Sequence, residues 1–244
     1  HVPPLDEVED IQDHHNMSAF AQAMFDQLQQ PDGDTTFRLR IVDGPENQGR
    51  CRDFLSLRPE EKDLIRDCLG DRQEPRVLDI GCGIGRHSIF SRAVSPHARI
   101  SIVEIDQSLR DYCIAEVPGA VCYEQFAHVP ADASFDAVFL MGNGLGVFGN
   151  EANTSEQIQR LHCLVADGGC VLLESGNPFG GYFSADQHVI EYNDSVDGRF
   201  TWGYATREWL QRELVEVGFE IVTIEPSSLG RPFFICHAKK CAIP

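Results

Sequence analysis

Residues 77–85 read Val77-Leu78-Asp79-Ile80-Gly81-Cys82-Gly83-Ile84-Gly85. A short apolar run leads into three alternating glycines, and Arg86 to Val94 then reads as a helix. In doubly wound α/β sheets, a strand that passes through a glycine-rich turn into a helix is a cofactor site. Glycine permits positive φ and has no Cβ, so the backbone can approach a ligand closely. The helix N-terminus behind it offers unpaired N–H groups. The dinucleotide fingerprint is GxGxxG. Here the spacing is GxGxG, with Arg86 where the third dinucleotide glycine would fall. Asp79, just before the turn, suits a positively charged ligand, because a carboxylate attracts an ammonium.

Outward from this turn, strands and helices alternate. Arg99 to Ile105 reads as a strand, Gln107 to Val117 as a helix, Ala120 to Tyr123 and Phe135 to Met141 as strands. Thr154 to Val165 reads as a helix, and Asp167-Gly168-Gly169 turns into a strand at Cys170–Glu174. This alternation implies βαβ units, a mostly parallel sheet and right-handed crossovers. The tail differs. A helix at Thr206–Val217 precedes strands at Phe219–Ile224 and Arg231–Lys239. The connection between these strands is too short for a helical crossover, which predicts an antiparallel pair. On the N-terminal side, residues 1–16 are polar, acidic and expected to be loose or only partly helical. Helices are expected at Met17–Gln30, ended by Pro31-Asp32-Gly33-Asp34, and at Pro59–Leu69, with Pro59 at its first position and Gly70 beyond its end.

Glu104 closes the second strand of the βαβ series. A carboxylate there can accept both hydroxyl protons of a ribose, which supports a nucleoside without selecting one cofactor. Asp106 is expected to cap the following helix. With these residues in place, the chain resembles the class I, Rossmann-like S-adenosylmethionine-dependent methyltransferases over roughly residues 70–240. VLDIGCGIG is similar to their first motif, and VEID to their acidic second motif. FDAVFLMGNGLG resembles their fourth strand and its loop, DGGCVLLES their fifth strand, and the late strand pair their reversed hairpin.

The resemblance implies S-adenosylmethionine as cofactor, with S-adenosylhomocysteine as product. It places the cofactor on Asp79, Gly81, Cys82, Gly83, Gly85, Glu104, Ile105, Gln125, Phe126, Met141 and Gly142. Where the family often carries an acid near the adenine amino group, this chain has Gln125, whose carbonyl can still accept; Glu124 is the neighbouring alternative. Phe126 or Ile105 would pack on the purine. The implied fold is α/β and doubly wound: a mostly parallel seven-stranded sheet with an antiparallel C-terminal strand pair, plus an N-terminal helical cap. Residues 1–70 would form that cap. Residues 71–244 would form the Rossmann-like cofactor-binding domain, with an aromatic insertion at about 178–204.

The acceptor is expected outside the carboxyl ends of the strands. Substrate-binding candidates are Asn143 and Phe148 in the loop 142–148, and Tyr182 and Trp202 in the insertion. His188, Tyr192 and Asn143 are the candidates for a catalytic role, none with a partner visible in sequence. His87 is expected to pack inside its helix, His14 and His15 lie in the loose segment, and Arg50 and Arg199 are expected on the surface. Asn177-Pro178-Phe179-Gly180 reads as a turn.

Composition narrows the partners. With 38 acidic and 20 basic side chains the formal net charge is −18, which argues against a broad nucleic-acid surface. The nine cysteines include no CxxC pair, and several lie in apolar runs, which fits reduced, buried thiols in the cytoplasm and no metal site. No apolar run reaches membrane-spanning length, and no signal-peptide pattern opens the chain. The expected function is in-line methyl transfer to the N or O of a small molecule. Open alternatives are a protein or RNA methyltransferase and a noncatalytic S-adenosylmethionine-binding subunit. An NAD-dependent dehydrogenase is disfavoured by the GxGxG spacing and the short tail hairpin.

Overall fold

The computed structural model describes residues 17–241; the readings of residues 1–16, His14 and His15 included, lie outside them. Seven strands form the central sheet: β3 (Arg76–Ile80), β4 (Arg99–Val103), β5 (Val121–Tyr123), β6 (Phe135–Leu140), β7 (Val165–Ser175), β11 (Phe219–Pro226) and β12 (Phe234–Lys240). Their order is β11-β12-β7-β6-β3-β4-β5. The five strands from β3 to β7 are parallel, while β12 runs antiparallel to both β7 and β11. The chain leaves β3 toward β4 and β5, then returns to β6 on the other side. The carboxyl ends of β3 and β6 therefore flank the point where strand order reverses, the crevice in which such sheets hold ligands.

Helices cover both faces. α3 (Pro59–Leu69), α4 (Arg86–Val94) and α5 (Gln107–Glu116) lie on one, α6 (Glu151–Leu164) and α7 (Arg207–Val217) on the other. The period-two pleat sorts side chains between them. Val77, Ala137, Phe139 and Leu172 face the first group; Leu78, Ile80, Val138, Leu140 and Leu173 face the second. Local signals fix the helix ends. Asn150 accepts from Asn153 N at 3.0 Å, which starts α6 earlier than its apolar pattern does. Thr206 caps α7, and Gly218 ends it at φ 104°. Asp167-Gly168-Gly169 forms a bulge within β7, where the register with β6 shifts.

The N-terminal region is not the purely helical cap expected from sequence. After α1 (Ala19–Gln29), residues form β1 (Thr36–Ile41) and β2 (Glu46–Arg50), followed by the short α2 (Arg52–Leu55). The insertion contributes β8 (Phe183–Tyr192), β9 (Ser195–Val196) and β10 (Phe200–Ala205). Together these make a second, five-stranded antiparallel sheet of order β10-β8-β1-β2, with β9 on β8. A boundary at residue 70 thus cuts through one sheet. The missed signal was short: Phe37, Leu39 and Ile41 alternate with Arg38 and Arg40, while β2 has no apolar residue and relies on β1 for its place. Gly49 makes the pairing close, since a Cβ there would stand 2.2 Å from the Phe37 ring.

α1 is the filling between the two sheets. Met17, Ala21 and Met24 pack with Phe37 of the second sheet, with Ile84 of the glycine turn and with Leu109 of α5. Its N-terminal N–H groups are satisfied across the chain, Ser18 by Asp106 at 3.1 Å and Ala19 by Asp197 at 2.6 Å. The second sheet and α1 thereby roof the carboxyl edge of the first. On the far face Trp209 of α7 is fully buried, donates to Glu151 at 2.7 Å and packs at a tilt with its ring centroid 4.8 Å from that of Phe183 in β8, joining the sheets a second time. Trp209→Ala is expected to cost about 3–5 kcal/mol, read by equilibrium urea unfolding.

Candidate functional site

The three glycines of the turn do different work. All have positive φ, at 66°, 56° and 76° for Gly81, Gly83 and Gly85. A Cβ on Gly85 would meet Cys113 Sγ at 2.6 Å, and one on Gly81 would meet Val147 at 3.3 Å, so these two serve packing. A Cβ on Gly83 would meet nothing within 4 Å. Gly83 is the glycine whose bare face opens outward, as a backbone that receives a ligand must. Cys82 between them is buried, its sulfur 3.6 Å from Cys113 Sγ, so only its backbone belongs to the turn.

Glu104 lies against this turn. One carboxylate oxygen accepts Gly83 N at 2.9 Å and the other accepts Asp106 N at 3.0 Å, which aims the head group along the rim of the turn. Burial raises its pKa. Each oxygen keeps a further lone pair for a hydroxyl donor. Asp106 caps α5 and holds Ser18 of the roof. Next to Glu104, Ile105 is 72% exposed and offers an apolar face at the mouth.

Several residues stand elsewhere than the sequence placed them. Asp79 is fully buried on the α4 side, accepts Ser88 Oγ at 2.7 Å and braces the turn from behind, so it presents no surface to an ammonium. Burial raises its carboxyl, and its Oδ1 has no hydrogen-bond partner. Phe126 belongs to the core, with Phe148 at 5.5 Å and the Arg160 guanidinium 5.1 Å above it, which leaves Ile105 as the candidate purine platform. Gln125 is exposed just past β5 and opens a short turn of 3-10 helix at Phe126–His128. The Met141 side chain packs on the α3–α5 side of the core. Phe148 is likewise core, and Tyr182 is 65% exposed. Arg50 pairs with Asp53 at the surface, and Arg199 is exposed.

On the acceptor side, the loop after β6 begins with Gly142 at φ 69° and Asn143 at φ 60°, a left-handed conformation that asparagine tolerates. Asn143 Oδ1 is buried without a partner. Trp202 of the roof lies flat on Gly146, where a Cβ would fall 1.9 Å from the indole nitrogen. Beside it, His188 stacks on Phe200 at 5.8 Å, and its Nε2 is 3.2 Å from Tyr204 Oη. Burial lowers the His188 pKa, so the ring is neutral at neutral pH, and its Nδ1 has no partner. Tyr192 is different: its hydroxyl donates to Asp26 at 2.5 Å, and burial and that carboxylate push it up to about 12. It is a strut between β8 and α1, not a base.

Behind the loop lies a charge network that the sequence reading missed. Arg58 donates to Glu61 at 2.7 Å and to Glu174 at 2.8 Å, and Arg86 donates to Glu61 at 2.9 Å. Glu174 also accepts Gly142 N at 2.6 Å and bonds Ser227. His87 adds a contact to Glu61 at 3.3 Å. Available hints were Glu174 at the end of an apolar strand and Arg86 in place of a glycine. The network fixes the loop that carries Asn143.

Solved structures share this architecture. A methyltransferase from Bacteroides fragilis, in complex with S-adenosylhomocysteine, superposes with TM-score 0.74 over 93% of this chain and 96% of its own, at 16% identity. That decides the fold. The chain has the fold of S-adenosylmethionine-dependent methyltransferases. DesVI from Streptomyces venezuelae matches with TM-score 0.58 over 78% and 92% of the two chains, at 15% identity. CalS10, an amino pentose methyltransferase from Micromonospora echinaspora, matches at 0.55 over 74% and 89%, at 18% identity. No protein-family model and no curated protein matches the sequence. On this methyltransferase fold, the crevice falls between Gly81–Gly85 and Met141–Phe148.

Burial alone would raise the Glu61 carboxyl, but His87, Arg58 and Arg86 hold it well below the usual carboxylate range. A carboxyl depressed in this way stabilises the fold above its unfolded-state pKa of about 4.3, and that contribution fades as the pH falls further. Glu61→Gln is expected to cost about 3–5 kcal/mol by leaving buried guanidinium charge uncompensated. It should also flatten the acid limb of a stability profile measured by urea unfolding at several pH values.

Proposed function

We propose that this chain is an S-adenosylmethionine-dependent methyltransferase that acts on the nitrogen or oxygen of a small molecule. The observation that carries the reading is the Gly83–Glu104 pair at the switch point: an open glycine face bonded to a strand-end carboxylate at 2.9 Å. In this reading Glu104 takes the ribose hydroxyls, Ile105 the purine and the turn 81–85 the amino-acid end, beneath the N-terminus of α4. Gln125, beyond β5, is the candidate for the adenine amino group. The cofactor supplies an already activated methyl group, so the protein's task is alignment and exclusion of water.

The acceptor would enter between the loop 142–148 and the roof. Asn143 Oδ1, buried and unpartnered, is suited to accept an N–H or O–H from it and turn the lone pair toward the methyl. Trp202 closes the pocket over Gly146. If the acceptor must lose a proton, His188 is the group to take it: it is neutral and has a free ring nitrogen, whereas Tyr192 is committed to Asp26. A small acceptor is supported by the net charge of −18 and by the roof over the strand ends. All nine cysteines are free, which fits the cytoplasm, and no described helix is long and apolar enough to cross a membrane.

Calorimetric titration with S-adenosylhomocysteine, with NAD in parallel, tests the reading. Saturable binding of the first alone is expected; binding of NAD alone, or of neither, overturns it. Gly83→Val is expected to abolish binding in a chain that still unfolds cooperatively, though at lower denaturant, because the added branch fills the space of the ligand and strains a backbone held at φ 56°. Glu104→Ala should weaken binding by about 1–3 kcal/mol, the loss of charged hydrogen bonds. In the wild type, affinity should fall as acid protonates Glu104, starting at a higher pH than for an exposed glutamate because burial has raised its pKa. Radiolabelled methyl transfer to pooled metabolites, against total RNA and protein, then separates the acceptor classes.

A further inference from the structure

On the α3 side of the sheet, away from the crevice, three residues distant in sequence come together: Cys68 at the end of α3, Cys170 in β7 and His237 in β12. One ligand atom from each lies within 4.8 Å of the others, and the residues are only 1%, 1% and 3% exposed. Register explains the meeting. Cys170 pairs with Lys239, two residues beyond His237 on β12, and Cys68 comes down from the helix above so that its carbonyl accepts the Cys170 thiol at 3.6 Å.

A merely packed cluster would leave polar groups satisfied, and this one does not. His237 Nε2 is buried without a hydrogen-bond partner. So is Oγ1 of Thr223, the strand partner of His237 on β11. Orphaned buried polar atoms destabilise a fold unless something binds them. Two thiols and an imidazole are soft and borderline donors, the set that selects zinc over magnesium or calcium. Around a tetrahedral zinc such atoms stand about 3.3–3.8 Å apart, so a small closing movement suffices. A groove of about 600 Å³, walled in part by Arg66, Asp67, Asp71, Thr223, His237 and Lys239, supplies an entry path.

We propose that Cys68, Cys170 and His237 bind one zinc ion, with the fourth position opening on the groove, and that this ion clamps α3 to β7 and β12. The clamp has a target at the other end of the same helix. α3 begins with the residues that hold the charge network, Glu61 above all, so the ion would brace the crevice from a distance. It takes no part in methyl transfer, and it stands whether or not the functional reading above does.

The test is metal analysis of the untagged full chain, purified under reducing conditions without chelator. About one zinc per chain is expected, as the three-ligand count of a single site requires. Exchange into cobalt should give a sulfur-to-cobalt charge-transfer band in the near ultraviolet, and removing the zinc with a chelator should lower the Tm. Cys170→Ser should lose the metal and the band; if that variant does not fold, cobalt titration of the reduced wild type decides alone. A wild type that carries no zinc and shows no thiolate band with cobalt overturns the proposal. So does a Cys68–Cys170 disulfide found by mass spectrometry in the freshly purified chain.

Discussion

Glu61 and Glu174 lie wholly out of solvent, and the guanidinium groups of Arg58 and Arg86 bind them there. Neither sign of charge could be buried alone, because an unpaired ion in the interior costs several kcal/mol. Five segments must therefore meet at one place: the start of α3, the start of α4, the loop after β6, the end of β7 and the β11–β12 connection. The glycine turn precedes Arg86 directly, and the loop bearing Asn143 hangs on Glu174 through Gly142 N and Asn143 N. Both walls of the crevice are thus referred to the same ion cluster. For this reason the region before residue 70 does not stand apart from the sheet that follows it.

Around that anchor the crevice divides into a braced side and an open side. Asp79 and Ser88 stiffen the turn from behind, and Cys82, Cys113 and Gly85 interlock beneath it. In front stand Gly83, Glu104 and Ile105. The pleat makes this division: Asp79 alternates with Leu78 and Ile80, so its side chain goes to the helix layer and cannot reach the mouth. The groups at the mouth come from strand ends and loops, where the pleat no longer binds them.

Much of the central sheet was legible because its signals are local. A strand such as Phe135–Leu140 is apolar on both faces because helices cover both. Glu104 was legible from its position at a strand end. The second sheet was not, because β2 carries no apolar residue and leans on β1, while β1 has only three and takes its other neighbour, β8, from more than a hundred residues away. Phe126 was misplaced for a related reason: its sequence position beside the mouth does not reveal that its ring turns inward to Phe148. The charge network was hidden because ion pairs between distant segments leave no periodicity. The Cys68, Cys170 and His237 cluster was hidden in the same way, since a metal site assembled across a sheet has no ligand spacing to read.

The roof also sets an order of events during synthesis. β1 pairs with β2 through a tight turn, but its other edge waits for β8, whose register brings Arg38 opposite Glu191. Every strand from β3 to β7 leaves the ribosome in that interval. The hairpin therefore presents an unpaired edge, with Phe37 and Leu39 on one face, while the larger sheet is still incomplete. Contacts of such long range form late, and exposed edges recruit other chains. The roof over the crevice is thus the slowest and most aggregation-exposed part of this fold, and any chaperone dependence of the chain should originate there rather than in the glycine turn.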